Sequence, residues 1–317
     1  MSIGPVEIVI KILPIILLIL LGMAFRRYGY LPAEAIAGFK KTAVNITLPI
    51  VIFLSLLDLD FKAEYLLLPL LVFISLILLL LAGMVIKRAL RIENPYFPVL
   101  YTSFENGMMG YGVLAVMFGK SNIYPIVLMD LGQTAFFALI FVTFMKILNS
   151  GEKFAAKTLI ASFLRNSYVW ASVLAVSLKG TGAAGFLLGI PLFGAILEAA
   201  SLLGALTTPM MCLVIGYELK IYARGLKKPL AVSLSRLAIL LCFAFFTHSL
   251  TRALLPGLQN IFTVSIYAMF MLPPFFVGAA LIKDEAEAEK QFALNVISIN
   301  ILLFLVLFPP LAALLAG

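Results

Sequence analysis

Apolar runs of about 20 residues, the length at which a helix crosses a bilayer, follow one another along this chain, and charge is largely confined to the short gaps between them. Inside hydrocarbon every backbone N–H and C=O needs a partner within the protein, so runs of this length fold as helices. Hydrophobic residues make up 63% of the 317 positions and charged ones 12%, whereas a soluble domain is about half apolar and a quarter charged. The chain reads as an all-α polytopic membrane protein with no soluble domain. Ten spans are predicted, over 8–26, 36–57, 65–86, 96–118, 123–146, 157–178, 193–219, 230–250, 260–282 and 289–315. The stretch Ala183–Leu219 is too long for one span, and Pro191 is expected to end a surface segment before the seventh. No basic segment or small-residue cleavage site precedes Arg26-Arg27, so the first run is expected to stay as a helix.

Two of the spans are broken. The fourth carries Glu105-Asn106-Gly107, then Gly110 and Gly112; the ninth carries Leu272-Pro273-Pro274, then Gly278. An unwound backbone at membrane depth is tolerated only where protein or a water-filled cavity surrounds it. Two such breaks at matching places are a mark of transporters rather than of structural bundles.

The basic residues orient the spans. Arg26, Arg27, Lys40 and Lys41, then Lys87, Arg88 and Arg91, Lys146, Lys153 and Lys157, Lys220, Arg224, Lys227 and Lys228, and Lys283 and Lys290 fall in the odd-numbered loops. The even-numbered loops hold only Lys62, Lys120, Lys179 and Arg252. This bias places the odd loops in the cytoplasm and both termini outside it, in a cell membrane. A net charge of +8 would suggest nucleic acid in a soluble chain; distributed this way it is a topology signal, and the expected surroundings are membrane lipids.

The loop Lys146–Lys157 divides the chain into repeats 1–150 and 151–317, with five spans each. An odd number of spans per repeat makes the two halves inverted. Asn45-Ile46-Thr47-Leu48-Pro49 in the second span and Ala205-Leu206-Thr207-Thr208-Pro209 in the seventh occupy equivalent places, as do the breaks at Asn106 and Pro273. Pro49, Gly112, Thr208 and Pro209 are the expected hinge positions.

The acids inside spans carry the chemistry. An ionised acid at mid-bilayer costs about 2.5–3.5 kcal/mol even on the lenient insertion scale, so Glu105, Asp130 and Glu198 must face protein, protonate or hold a cation. Glu105 reads equally as a cap on the helix that follows it and as an ion-coupling group. Asp130, with Gln133 and Thr134 at helical spacing, reads as part of a coupling site or as a helix–helix hydrogen bond. Glu198 lies nearer the end of its span and is set aside. Asn106, Gly107, Gly110, Asn45, Pro273 and Pro274 are the candidate substrate-binding positions, Asn106 because its amide offers both donors and acceptors at an unwound backbone. Arg165 and Arg236 are expected to snorkel to the nearer face.

Other chemistry is not written here. A single histidine, His248, leaves no His-rich zinc site, and it is expected at the membrane interface. The run Asp284–Lys290 reads as a solvated helix start rather than a metal site. Cys212 and Cys242 fall within apolar spans and predict no disulfide framework. No metal, cofactor or enzyme activity is expected, and Na+ or H+ is the candidate coupling ion.

Three stretches resemble the auxin efflux carrier family of bacterial, fungal and plant transporters. They are Leu31-Pro32 through Pro49, Asn106-Gly107-Met108-Met109-Gly110, and Ile190-Pro191 through Thr207-Thr208-Pro209 with Ile215-Gly216-Tyr217-Glu218-Leu219. Gly112 stands where the family often has a crossing proline, and Ser167 follows Asn166 where Asn-Pro is common. The resemblance implies the fold of bile-acid symporters and sodium/proton antiporters. In that fold broken spans four and nine cross within a transport domain of spans 3–5 and 8–10, carried on scaffold spans 1, 2, 6 and 7. It also implies export or exchange of small organic anions; a homodimer working by alternating access of the elevator type is expected. A cation/proton antiporter or sodium-coupled symporter on the same fold, a lipid-modifying enzyme and a non-transporting sensor are the rival expectations.

Overall fold

The computed structural model describes residues 5–57, 62–150, 167–222, 225–283 and 285–316. Its elements are α1 (Pro5–Tyr28), α2 (Ala33–Leu57), α3 (Glu64–Ala89), α4 (Asn106–Phe118), α5 (Tyr124–Ser150), α6 (Ser167–Gly180), α7 (Pro191–Glu218), α8 (Lys227–Leu254), α9 (Asn260–Met271) and α10 (Glu287–Ala316). Short helical pieces lie at Phe97–Tyr101, Ala183–Leu188 and Phe276–Ala280. No β-strand forms among the described residues; an isolated antiparallel bridge joins Phe104 and Pro274. Six helices among those residues, α2, α3, α5, α7, α8 and α10, are long and apolar enough to cross a membrane. The chain is thus an all-helical protein of membrane character. Gly151, Lys153, Lys157, Arg165, Asn166, Arg224 and Asp284 lie outside the described residues.

Glycine decides how closely the helices meet. A Cβ on Gly22 of α1 would sit 2.2 Å from the Leu213 carbonyl oxygen, and one on Gly216 of α7 would sit 2.0 Å from that of Ile19. These are backbone atoms that cannot swing aside, so α1 and α7 touch main chain to main chain. Gly132 of α5 does the same against Pro69 of α3, where a Cβ would lie 2.0 Å from the carbonyl oxygen. Around these contacts α1, α2, α6 and α7 pack together, and α3, α5, α8, α9 and α10 form a second group. The segment with α4 lies between the groups, against α1, α5, α7 and α9.

Proline sets the local irregularities. Pro49 has no N–H to return to Asn45, and the turn before it widens so that Leu48 N–H bonds back to the Ala43 carbonyl, five residues earlier; a proline ring and missing donor favour such a bulge. In α7 the helix is interrupted at Leu206, just before Thr207-Thr208-Pro209. The two motifs meet in space, where the Thr207 hydroxyl donates to Thr47 Oγ1 at 2.6 Å with both side chains buried. Pro191 opens α7 at its first helical position, the place where a missing N–H costs nothing.

Arg236 corrects an expectation. It does not snorkel: its residue is 0% exposed. The helix α8 buries Pro229, Ser233, Arg236, Leu240, Ala244, Thr247 and Thr251, one stripe at helical spacing. Arg236 is on that stripe, and α9 and α10 close over it. His248 is half-buried beside the Tyr267 ring, and Glu198 lies exposed on α7.

Candidate functional site

The two interrupted segments cross one another. After the turn Phe97–Tyr101 the chain runs non-helically through Thr102–Glu105 and enters α4 by a wide turn at Asn106–Gly110. On the other segment α9 ends at Met271, and Leu272–Phe275 is non-helical before Phe276–Ala280. Glu105 N–H donates to the Pro273 carbonyl at 3.1 Å, next to the Phe104–Pro274 bridge. Asn106, Gly107 and Gly110 therefore lie on one arm of the crossing and Pro273 and Pro274 on the other. Gly110 keeps the arms close, because a Cβ there would stand 2.7 Å from Leu272 Cδ1.

Each exposed backbone group finds an unusual partner, as burial requires. Gln133 of α5 serves Phe104 as a neighbouring strand would: its Oε1 accepts from Phe104 N–H at 2.6 Å and its Nε2 donates to the Phe104 carbonyl at 2.8 Å. Arg236 serves both arms at once. Its Nε donates to the Leu100 carbonyl at 2.7 Å and its Nη1 to the Leu272 carbonyl at 2.9 Å, with Asn300 Oδ1 a further acceptor at 3.0 Å. Its guanidinium also lies over the Phe104 ring, 5.9 Å from the centroid. Leu100 and Leu272 end the first helical piece of each arm, and a cation is favoured at such carbonyl ends.

Glu105 occupies an opposite, N–H-bearing end, and Asp130 lies within α5 beside the start of α4. Glu105 does not cap its own helix. Its Oε2 accepts from Phe276 N–H at 2.8 Å, so it caps the helical piece of the other arm. Asp130 gathers three donors: Asn106 Nδ2 at 2.6 Å and Gln133 Nε2 at 3.0 Å on Oδ1, and the Tyr111 hydroxyl at 2.5 Å on Oδ2. Glu105 and Asn106 are 0% and 1% exposed. Even so, Glu105 Oε1, Asn106 Oδ1, Ser103 Oγ and Arg236 Nη2 are buried with no hydrogen-bond partner among the described residues. Orphaned buried polar atoms are few in folded proteins and mark strain or a site of function. Ser103 also holds a left-handed backbone at φ 58°.

Two cavities flank this crossing. One of about 390 Å³ is lined by Lys40, Asn45, Glu105, Asp130, Thr134 and Tyr168, among others. Another of about 250 Å³ is lined by Ser55, Tyr111, Lys120, Ser201 and Thr208. Along α2 the first takes residues Lys40–Leu48 and the second Val51–Leu57, so they open on opposite ends of that helix. Between them lie the Thr47–Thr207 and Tyr111–Asp130 hydrogen bonds. Gly112, on the same level, faces Thr208, where a Cβ would stand 2.9 Å from Cγ2.

No protein-family model and no curated protein sequence matches this chain. Its function has to be read from the site itself.

Of the candidates named from sequence, Asn106, Asp130 and Gln133 share one hydrogen-bonded network, and Glu105 lies next to it with its carboxylate on Phe276 N–H. Asn45, Gly107 and Thr134 line the first cavity, while Pro49, Gly112, Thr208 and Pro209 lie at the constriction between the cavities or beside it. At the break Phe276 N–H is engaged by Glu105, and Asn106 Nδ2 by Asp130. A cation from outside the breaks also reaches the site. Lys40 lines the cavity, pairs with Glu218 at 2.8 Å and stands 5.8 Å from the Phe276 ring centre. The signal for Lys40 was its i, i+4, i+8 spacing with Val44 and Leu48, which puts all three on one helix face. Tyr111 carried no such signal. Among the described residues no three His, Cys, Asp or Glu side chains come together; Glu105 and Asp130 are the groups suited to a proton or Na+.

Proposed function

We propose that this chain is a secondary active transporter that moves a small organic anion by alternating access, coupled to H+ or Na+. The observation that carries the reading is the placing of two cavities at opposite ends of α2, separated by one thin polar level beside the crossed breaks. A site reached from either side in turn needs this arrangement, and a structural bundle does not. In this reading the chain has ten spans as 5+5 inverted repeats, with both termini extracytoplasmic. Spans 1, 2, 6 and 7 form a scaffold against which the remainder moves. The resemblance to auxin efflux carriers points the same way.

Lys40 supplies the charge for a carboxylate, and Asn45, Thr134 and Tyr168 supply further polar atoms around the same cavity. Glu105, whose Oε1 has no hydrogen-bond partner among the described residues, is the preferred coupling group. A second reading, a cation/proton antiporter on the same fold, is favoured by one specific observation: the donors an anion would use at the breaks are already taken by Glu105 and Asp130. Uptake of labelled malate and other small carboxylates into proteoliposomes, against imposed proton and sodium gradients, separates the two. Carboxylate flux driven by either gradient supports the first. Cation–proton exchange that ignores every carboxylate supports the second, and no flux of either kind overturns both.

A further inference from the structure

At the end of α3, Lys87, Arg88 and Arg91 border a groove of about 400 Å³ whose other walls include Met84, Phe144 and Leu148. The helix stops there in a Schellman turn: Ile92 N–H donates to the Lys87 carbonyl and Arg91 N–H to the Arg88 carbonyl, at 2.9 and 3.3 Å. The position after the cap in this motif is left-handed and is most often glycine. Here it is Arg91, at φ 49°. The turn folds a third cation back beside two others, and none of the three forms an ion pair or side-chain hydrogen bond among the described residues. Cations at a helix C-terminus are ordinary complements of the dipole, and loop cations also set topology. Neither reason calls for an arginine at the left-handed position or for an apolar groove beside the cluster.

We infer that this groove is a binding site for an anionic phospholipid, with the headgroup phosphate on Lys87, Arg88 and Arg91 and the start of an acyl chain along Met84, Phe144 and Leu148. The charges match a phosphodiester, and Arg presents the forked donors suited to it. The place matches as well: α3 is long and apolar enough to cross the bilayer, so its end lies at headgroup depth. Basic pockets between helices at that depth are lipid-headgroup sites. The inference does not depend on transport.

The test is native mass spectrometry and thermal unfolding of the full-length protein, delipidated in detergent and titrated with phosphatidylglycerol, phosphatidylcholine or inorganic phosphate. Phosphatidylglycerol is expected to be retained and to raise the unfolding temperature, and the other two are not. Each cation removed should weaken retention about fivefold, so Lys87→Gln/Arg88→Gln/Arg91→Gln loses roughly a hundredfold. Arg91→Gly separates the lipid role from folding, because glycine suits the turn: its delipidated form should unfold no earlier than wild type while retention falls. Retention at the wild-type level by both Arg91→Gly and the triple variant overturns the site, and protection by inorganic phosphate alone overturns the lipid as its occupant.

Discussion

Glu105 and Asp130 are both buried carboxyls at the crossing, yet their surroundings assign them different work. Asp130 has three donors aimed at its two oxygens, so an amide there turns at least one donor against another. A hydrogen bond to a charged group contributes about 1.5–3 kcal/mol; Asp130→Asn should therefore lower stability by roughly 2–4 kcal/mol, read as an earlier thermal unfolding transition in detergent. Glu105→Gln keeps an acceptor for Phe276 N–H and should cost about 1 kcal/mol or less. Its effect belongs to transport: flux should persist while its dependence on pH or sodium disappears. Wild-type ion dependence in Glu105→Gln would leave that residue only its capping contact. Asn106→Ala removes the amide that ties α4 to Asp130, and folded protein without flux is the expected result.

Arg236 shows what an element needs when it is broken inside a membrane. The carbonyls of Leu100 and Leu272 end helical pieces that cannot continue, and one guanidinium satisfies both. Arg236→Met leaves two buried carbonyls unpaired at about 1–3 kcal/mol each, so a loss of roughly 3–5 kcal/mol is expected. Arg236→Lys keeps the charge but lacks the planar fork and should fall between Met and wild type in a thermal-unfolding series. Packing of whole helices is tested at glycine. Gly216→Ala drives a methyl into the Ile19 carbonyl and Gly132→Ala into that of Pro69; both should reduce the yield of folded protein sharply. Gly38→Ala meets nothing within 4 Å and should be neutral or slightly stabilising, since alanine is the better helix former.

Alternating access requires one group of helices to shift against the other across the level between the cavities. A Cβ on Gly112 would lie 3.5 Å from Thr208 Cβ, within the range that a disulfide bridges. In a background with Cys212 and Cys242 replaced, Gly112→Cys/Thr208→Cys should cross-link under mild oxidation. Flux should stop and return with reductant. Undiminished flux in fully cross-linked protein would show that α4 and α7 do not part during the cycle. Topology is tested at Ser150, the last described residue before the midpoint: Ser150→Cys should resist an impermeant thiol reagent added from outside intact cells. Labelling there would remove the inverted-repeat arrangement.

Helix location and helix interruption were legible in the chain because both are local. A window of about 20 apolar residues has its partitioning set by its own side chains, and Pro273-Pro274 or Asn106-Gly107 disrupts backbone hydrogen bonding wherever the segment is placed. The candidate site was legible to the same degree: Glu105, Asn106 and Asp130 stand out as polar groups where hydrocarbon makes them costly. Their partners were not legible. Glu105 caps a helix 171 residues away, Arg236 reaches back 136 residues to Leu100, and Lys40 pairs across 178 residues with Glu218. Burial without water compels every polar group to find a partner, but which partner is near enough is decided when separate helices pack, here by the glycine contacts that set their spacing. For that reason Arg236 read as a snorkelling cation from its own segment and became the shared partner of both breaks only in the assembled fold.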